Sequence, residues 1–355
     1  MFTKRFLSPA FGASVALAGL CLAGLTQPAA SQQSVEDFYK GKQIDMIIGY
    51  SPGGTYDLYA RLVARHLGDH IPGKPTIVPR NMPGGGSRTA AAYVYKVAKQ
   101  DGTVLATADQ SLSVEQAMGD PALTVDTTKF IYIGNPNAEN NTTVTWYTSG
   151  VKTIEDAKKK EVPVGATGGS TSSQYPKVMN ALLGTKFKIV IGYPGGNDIN
   201  LAMERGEVAG RGSNSWSSWK ATRPDWLRDH KINILVQIGL TKASDLPDVP
   251  LLMDLAKNDE DRAVLKLVSA SGTIGRPVFT TPNVPADRVA ALRKAFDEMI
   301  KDPAFIDDAK KSKFDVDPVS GEELQKIVAD IVATPKPIAA RLAQIIGGVG
   351  QHTGR

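Results

Sequence analysis

Four times along this chain an apolar run gives way to glycine and then to a stretch with helical spacing. The turns are Ser51-Pro52-Gly53-Gly54-Thr55, Pro83-Gly84-Gly85-Gly86-Ser87, Ala166-Thr167-Gly168-Gly169-Ser170-Thr171 and Tyr193-Pro194-Gly195-Gly196. Junctions of this kind belong to open sheets covered by helices. In such sheets the ligand crevice lies at the carboxyl ends of the strands, where the turns converge. Glycine lets a ligand approach the backbone, and the N–H groups freed at the next helix N-terminus favour carboxylate or phosphate. Ser51, Thr55, Ser87, Thr167, Ser170 and Thr171 add hydroxyl donors. One such turn is ordinary punctuation; four in this setting point to an anion site.

The pattern around the turns is α/β, with parallel or mixed sheets. Strands are predicted over Ile44–Ile48, Pro75–Val78, Val104–Thr107, Phe130–Ile133, Thr143–Thr148, Val162–Ala166, Lys188–Ile191, Val208–Gly210 and Ile232–Gly239. Helices are predicted over Asp57–Leu67, Ala90–Val97, Ile154–Lys160, Tyr175–Leu183 and Asn197–Arg205. After a strand-like Ser269–Phe279 the tail reads as helical over Ala286–Ile300, Asp302–Ser312 and Gly321–Ile346, and such a tail packs back on an earlier domain. With 355 residues, 42% hydrophobic and 22% charged, the chain has room for two globular domains.

The first residues stand apart. Lys4 and Arg5 precede an apolar stretch, Phe11 to Leu25, and small residues around Ala30 and Ser31 offer a cleavage site. That is the pattern of a secretory signal peptide, too short for a membrane span, and it places the mature protein in the periplasm. Cys21, the only cysteine, falls inside the signal and follows Leu20, contrary to the lipoprotein pattern. The mature chain therefore has no disulfide and no cysteine metal site. Removing Lys4 and Arg5 from 41 basic residues leaves 39 against 36 acidic, a net charge of +3. That balance does not argue for nucleic acid.

Nucleotide and metal chemistry fit poorly. No turn ends in Gly-Lys-Ser/Thr, and Gly49 to Gly54 fails the dinucleotide fingerprint. His66 and His70 have helical spacing but no third ligand, so neither a metal nor a cofactor is expected. No Gly-x-Ser-x-Gly elbow occurs. Asp109 and Asp198 are the acids near the turns, without a nucleophile–base pair beside them. Asp57 sits in the first turn of its helix, where a carboxylate complements the dipole and shapes the loop. Arg80, Arg88 and Arg211 flank the turns, and each either forks onto a carboxylate or sits in an ion pair or in solvent. Trp216 and Trp219 either wall a ligand or pack in the core.

The stretches "KGKQIDMIIGYSPGGTYDLYARLVARHL", "IVPRNMPGGGSRTAAAYVYKVAKQDGTVLAT", "VGATGGSTSSQYPKVMNALLGTKFKIVIGYPGGNDINLAMERGEVAG" and "DLPDVPLLMDLA" occur in this order behind the signal. Together they resemble the tripartite tricarboxylate transporter substrate-binding proteins, the Bug family, over residues ~36–345. The resemblance implies a periplasmic-binding-protein fold of two α/β lobes joined by two crossover strands. Lobe 1 would be 35–134 plus 268–355 and lobe 2 135–267, behind a signal of 1–31. It implies a small carboxylate ligand, inner-membrane tripartite tricarboxylate permease subunits as partners, and a monomer as the working form. Carried over residue by residue, the ligand contacts are Ser51, Gly53, Gly54, Thr55, Thr167, Gly168, Gly169, Ser170, Thr171, Tyr193 and Gly195. Tyr50, Asp57, Gly85, Ser87, Asp109, Arg211 and Asn214 complete the candidate set.

The chain departs from the family in places. Gly49-Tyr50-Ser51-Pro52 replaces the usual Pro-Phe-x-x, and the second loop reads Arg80-Asn81-Met82-Pro83 before its glycines. After "GEVAG", Arg211-Gly212-Ser213-Asn214 replaces apolar-Phe-Asp-Asn, which makes that wall more positive. The change points away from citrate-like specificity, toward an extra anion contact or another ligand. Two other functions fit the same scaffold: an exported enzyme, and a sensor that presents ligand to a receptor. Mass spectrometry of the exported protein is expected to find a mature N-terminus at Ser31 or Gln32; an intact Met1 would contradict the signal reading.

Overall fold

The computed structural model describes residues 33–138 and 140–348. The signal segment lies outside the described residues. From Ser34 onward the chain clusters as one unit. It carries the strands β1 (Gln43–Ile48), β2 (Thr76–Asn81), β3 (Val104–Thr107) and β4 (Ile131–Asn135), then β5 (Asn141–Trp146), β6 (Val162–Ala166), β7 (Phe187–Ile191), β8 (Gly210–Ser215) and β9 (Ile232–Ile238). β10 (Val278–Thr280) and β11 (Val319–Ser320) follow.

These form two mixed sheets, ordered β11-β4-β10-β3-β1-β2 and β7-β6-β8-β5-β9. β1 pairs in parallel with β2 and β3, whereas β10 runs antiparallel between β3 and β4. In the second sheet β6 is parallel to β7 and β8, and β5 is antiparallel to β8 and β9. The chain passes to the second sheet between Asn135 and Asn141, and β10 returns it to the middle of the first. This is the α/β, two-sheet arrangement of periplasmic binding proteins.

Alternating burial explains why the strands sit where they do. Ile44, Met46 and Ile48 of β1 point into one core, which the Thr55–His70 helix covers with Leu62, Val63 and Leu67. Burying each such side chain contributes about 1.5–3 kcal/mol. The Ala286–Met299 helix packs on the same core through Leu292, Phe296 and Met299, so the tail does return to the first sheet. A second cluster joins Val164 of β6 to Tyr175, Val178 and Met179 of the Thr171–Leu183 helix. Trp219 and Trp226 stack, ring centroids 5.8 Å apart, in a third.

Three predicted elements differ. Ser269–Phe279 is not a strand: a helix over Asp259–Ala270 runs into a turn at Ser271–Thr273, leaving only Val278–Thr280 extended. Four acidic or amide residues, Asn258 to Asp261, start that helix, and Asn258 caps it. β8 begins at Gly210, so the polar run Arg211 to Ser215, not Val208, is the strand. The last helical tract divides into Gly321–Val332 and Lys336–Gly348, with Pro335 at the break.

Gly134 of β4 has no room for a side chain, because a Cβ there would overlap the Phe296 ring. Phe296 is fully buried against this strand. Phe296→Ala is therefore expected to cost about 3–5 kcal/mol in urea unfolding. A cost under about 1 kcal/mol would contradict the packing described.

Candidate functional site

The glycine turns at the carboxyl ends of β1, β6 and β7 lead into the helices Thr55–His70, Thr171–Leu183 and Gly196–Glu204. Their N-caps are Gly54, Ser170 and Gly195, and none makes a side-chain capping bond. The first amides of each helix have no intrahelical partner. Gly54 and Thr55, Ser170 and Thr171, and Gly196 all line one cavity of about 50 Å³ between the two sheets. At ~10–15 Å³ per water, that is space for about three to five waters, or one small organic anion. Three positive helix ends thus face one space. Larger openings of about 510 and 710 Å³ exist, but neither gathers helix N-termini.

The charged groups on this wall are Arg211, Arg276 and Asp109. Asp109 accepts hydrogen bonds on both oxygens. Its Oδ2 accepts from the Tyr50 hydroxyl, and its Oδ1 accepts from Ser111 N at 2.9 Å, Ser111 Oγ at 2.6 Å and Thr171 N at 3.5 Å. Burial, helped by the Asp109 charge, pushes the Tyr50 phenol well above its usual range, so it stays a neutral donor. Arg211 has no carboxylate partner among the described residues. Its Nε donates to Ser213 O at 3.0 Å and Nη1 to Asn200 Oδ1 at 3.0 Å, and it lies 5.4 Å from the Trp219 ring centroid. Burial pushes its guanidinium down to about 9, and Arg276 and Arg223 act in the same direction.

Of the candidate residues, the structure brings Tyr50, Gly54, Thr55, Asp109, Thr167, Ser170, Thr171, Arg211 and Asn214 to this wall. Gly53 lies just beyond it, beside Gly196 and Arg211. Asp57 is committed to the loop: it accepts from Gly53 N at 3.0 Å, Arg61 Nε at 2.9 Å and Asn81 Nδ2 at 2.8 Å. Ser51 donates to Asp198 at 2.7 Å and fills the space above Gly195, joining the first turn to the fourth. Tyr193 packs near Gly165. None of these four lines the main cavity.

The second glycine turn also stands off the cavity. Gly85 and Gly86 meet the backbone of Gly168 and Gly169, so the second and third turns touch glycine to glycine. Ser87 is buried and donates to Gly49 O at 3.2 Å. Arg88 lies flat on Gly169, and its charge is taken by Glu115 at 2.8 Å and by Asp120. Arg80 pairs with Asp45 at the surface. Trp219 is core, donating to Thr142 Oγ1 at 2.9 Å, and Trp216 donates to Asp245. His66 and His70 pair with Asp308 and Asp302.

Sequence reasoning missed Tyr56, Gln110, Asn141, Ser172, Ile199, Ser213, Ser215 and Arg276, which also line the wall. The available signal was polarity inside a strand. "NNTTVTW" and "RGSNS" put amides and hydroxyls on the inner strands β5 and β8, where apolar residues would normally be buried. Arg276 had no comparable signal.

No family model matches the chain. The UPF0065 protein in gbd 5'region of Cupriavidus necator is 25% identical to it, covering 96% of this chain and 98% of that protein. The periplasmic binding protein BugD superposes with a TM-score of 0.68 at 19% identity, over 87% of this chain and 99% of that one. MatC of Rhodopseudomonas palustris, solved with bound malate, gives a TM-score of 0.66 at 17% identity, over 86% and 99%. The resemblance read from the sequence therefore holds at the level of fold.

Behind the third turn, the fully buried Glu115 accepts from Ser111 Oγ and Gln174 Nε2, each at 3.1 Å, besides pairing with Arg88. Burial outweighs that pairing and raises its carboxyl from 4.5 to about 8. A raised acid contributes stability that is complete below its unfolded value and is lost as pH rises through the folded one. Thermal melts are thus expected to show stability declining between about pH 4.5 and 8. Glu115→Gln is expected to flatten that slope; an unchanged slope would contradict it.

Proposed function

We propose that the protein is an extracytoplasmic solute-binding protein. It captures a small organic carboxylate in the cavity between its sheets and passes it to an inner-membrane permease of the tripartite tricarboxylate type. The observation that carries this reading is the charge balance of the cavity: three helix N-termini whose N-cap residues make no side-chain bond and an arginine without a carboxylate partner among the described residues, opposed by one aspartate that accepts from Thr171 N. An enclosed cation without a counter-ion costs several kcal/mol, which an anionic ligand recovers. The malate held by a structure of the same fold supports the same class of ligand.

Capture rather than turnover is the reading these residues support: Asp109, the one carboxylate lining the cavity among the described residues, accepts from Tyr50, Ser111 and Thr171, and Asp198 beside the fourth turn accepts from Ser51. Bonds that cross between the sheets' loops, Ser51 to Asp198 and Thr55 to Ser218, give the closed form its own contacts. A ligand that touches both walls binds that form better, and the difference drives closure.

Thermal-shift screening of organic acids, sugars, amino acids and amines tests the reading. At a concentration of 100 Kd, a bound acid should stabilise the fold by about 2.7 kcal/mol. The matching neutral amide should give no shift. Stabilisation by sugars or amines alone, with every acid silent, would overturn it.

A further inference from the structure

The second and third glycine turns meet outside the cavity, and the residues around that meeting are shaped for it. Gly84, Gly85, Gly86 and Ser87 all have positive φ, at 140, 57, 67 and 74°. Such angles are ordinary for glycine and uncommon for serine, and the Ser87 hydroxyl is tied to Gly49 O. The run lays the second turn, which follows β2 of the first sheet, on the third turn, which follows β6 of the second. A Cβ on Gly86 would come within 3.0 Å of Ser170 N and 3.1 Å of Gly169 C, and one on Gly168 within 3.3 Å of Gly86 N. Side chains at these positions would push the turns apart.

The same run starts the helix Arg88–Lys96, so its first side chain is delivered over Gly169. A Cβ on Gly169 would overlap the Arg88 guanidinium. That group is not free to swing away, because the fully buried Glu115 holds Nε at 2.8 Å and Asp120 holds Nη2. Gln174, on the helix after the third turn, completes the circuit. Its Nε2 donates to Glu115 Oε1 at 3.1 Å and to Gly169 O at 3.3 Å. Gly86, Arg88, Glu115, Gly169 and Gln174 all stand outside the cavity lining, yet Ser170 and Thr171, the next two residues of the third turn, belong to it.

We propose that Arg88 is a positioning residue: fixed by Glu115 and Asp120, and joined by Gln174, it clasps the third turn to the first-sheet side and holds the ligand-free protein closed. The clasp accounts for the bare glycine surfaces, which leave nothing to keep the turns apart. It also accounts for an ion pair buried at a place the cavity does not reach. A planar guanidinium lies flat on a peptide while donating in two directions, which an ammonium does not. This goes beyond the capture reading and is independent of what the cavity takes.

Distance measurement between two spin labels in the dialysed, ligand-free mature protein tests the clasp. The one cysteine, Cys21, lies in the signal segment, so Val97→Cys and Lys188→Cys each take one label. Val97 follows the Arg88–Lys96 helix, Lys188 is on β7, and both are exposed, at 71% and 63%. The natural protein is expected to show a dominant population at the separation in the structure. Gly169→Val, which wedges Arg88, should lengthen the mean separation by more than about 2 Å. Adding Arg88→Ala removes the overlap and should reverse about half of that change, a non-additive result expected of side chains in contact. Gln174→Met, which keeps the bulk and the ion pair, should give a smaller change in the same direction and guards against a misfolded Gly169→Val. Unchanged separations in both Gly169→Val and Gln174→Met, each folded by urea unfolding, overturn the proposal. An opening in Gly169→Val that persists in full without Arg88 also overturns it, because the wedge would then press on something else.

Discussion

A part-buried guanidinium without a carboxylate partner among the described residues is the constraint on which the rest of the structure depends. Arg211 is held in place by a backbone carbonyl, an asparagine and the Trp219 ring, none of which carries negative charge. Each helix N-terminus facing the same space adds about 0.3–1 kcal/mol of preference for an anion, whereas an enclosed unpaired cation is worth several. The arginine therefore dominates, and the helix ends reinforce it. The single acid on the wall, Asp109, offsets only part of that charge, because Arg211 and Arg276 both line the cavity with it. An empty cavity of this composition is electrostatically unsatisfied, and a small anion is the species that satisfies it.

The fold is what makes such a wall affordable. Strands β1, β6 and β7 end at the same opening, so their turns and the following helices point at one place. The long return of the chain to β10 sets Arg276 beside Tyr56 and Tyr59, at 5.6 and 5.0 Å from their ring centroids. One apolar cluster links residues of both sheets, from Ile47 and Ala106 to Val164 and Leu235, and another backs β1 through Ile44, Met46 and Ile48. Because the wall draws on both sheets, ligand binding and the relative position of the sheets are one equilibrium.

Much of this was legible in the sequence, for identifiable reasons. The glycine turns announced the strand ends, and the alternation around them announced two helix-covered sheets. Within the turns the reading was coarser. Glycines needed for a ligand and glycines needed for backbone-to-backbone contact look alike, so Gly85, Gly168 and Gly169 stood with Gly54 although they mainly meet one another and Arg88. Ser51 and Ser87 were plausible ligand hydroxyls and are spent on protein partners. Asn141 and Ser213 were missed because their strands read as polar and were placed short or late. Arg276 became visible only once the segment before it proved to be a helix rather than a strand.

The most direct measurement is a crystal structure of the protein purified without unfolding, so that any ligand acquired in the cell stays bound. The account predicts electron density for a small acid in the 50 Å³ cavity, with oxygens about 2.7–3.2 Å from the backbone nitrogens that open the Thr55 and Thr171 helices. Density for an amine or a neutral sugar in that cavity would contradict it. So would a ligand seated in one of the larger surface openings with this cavity holding only water.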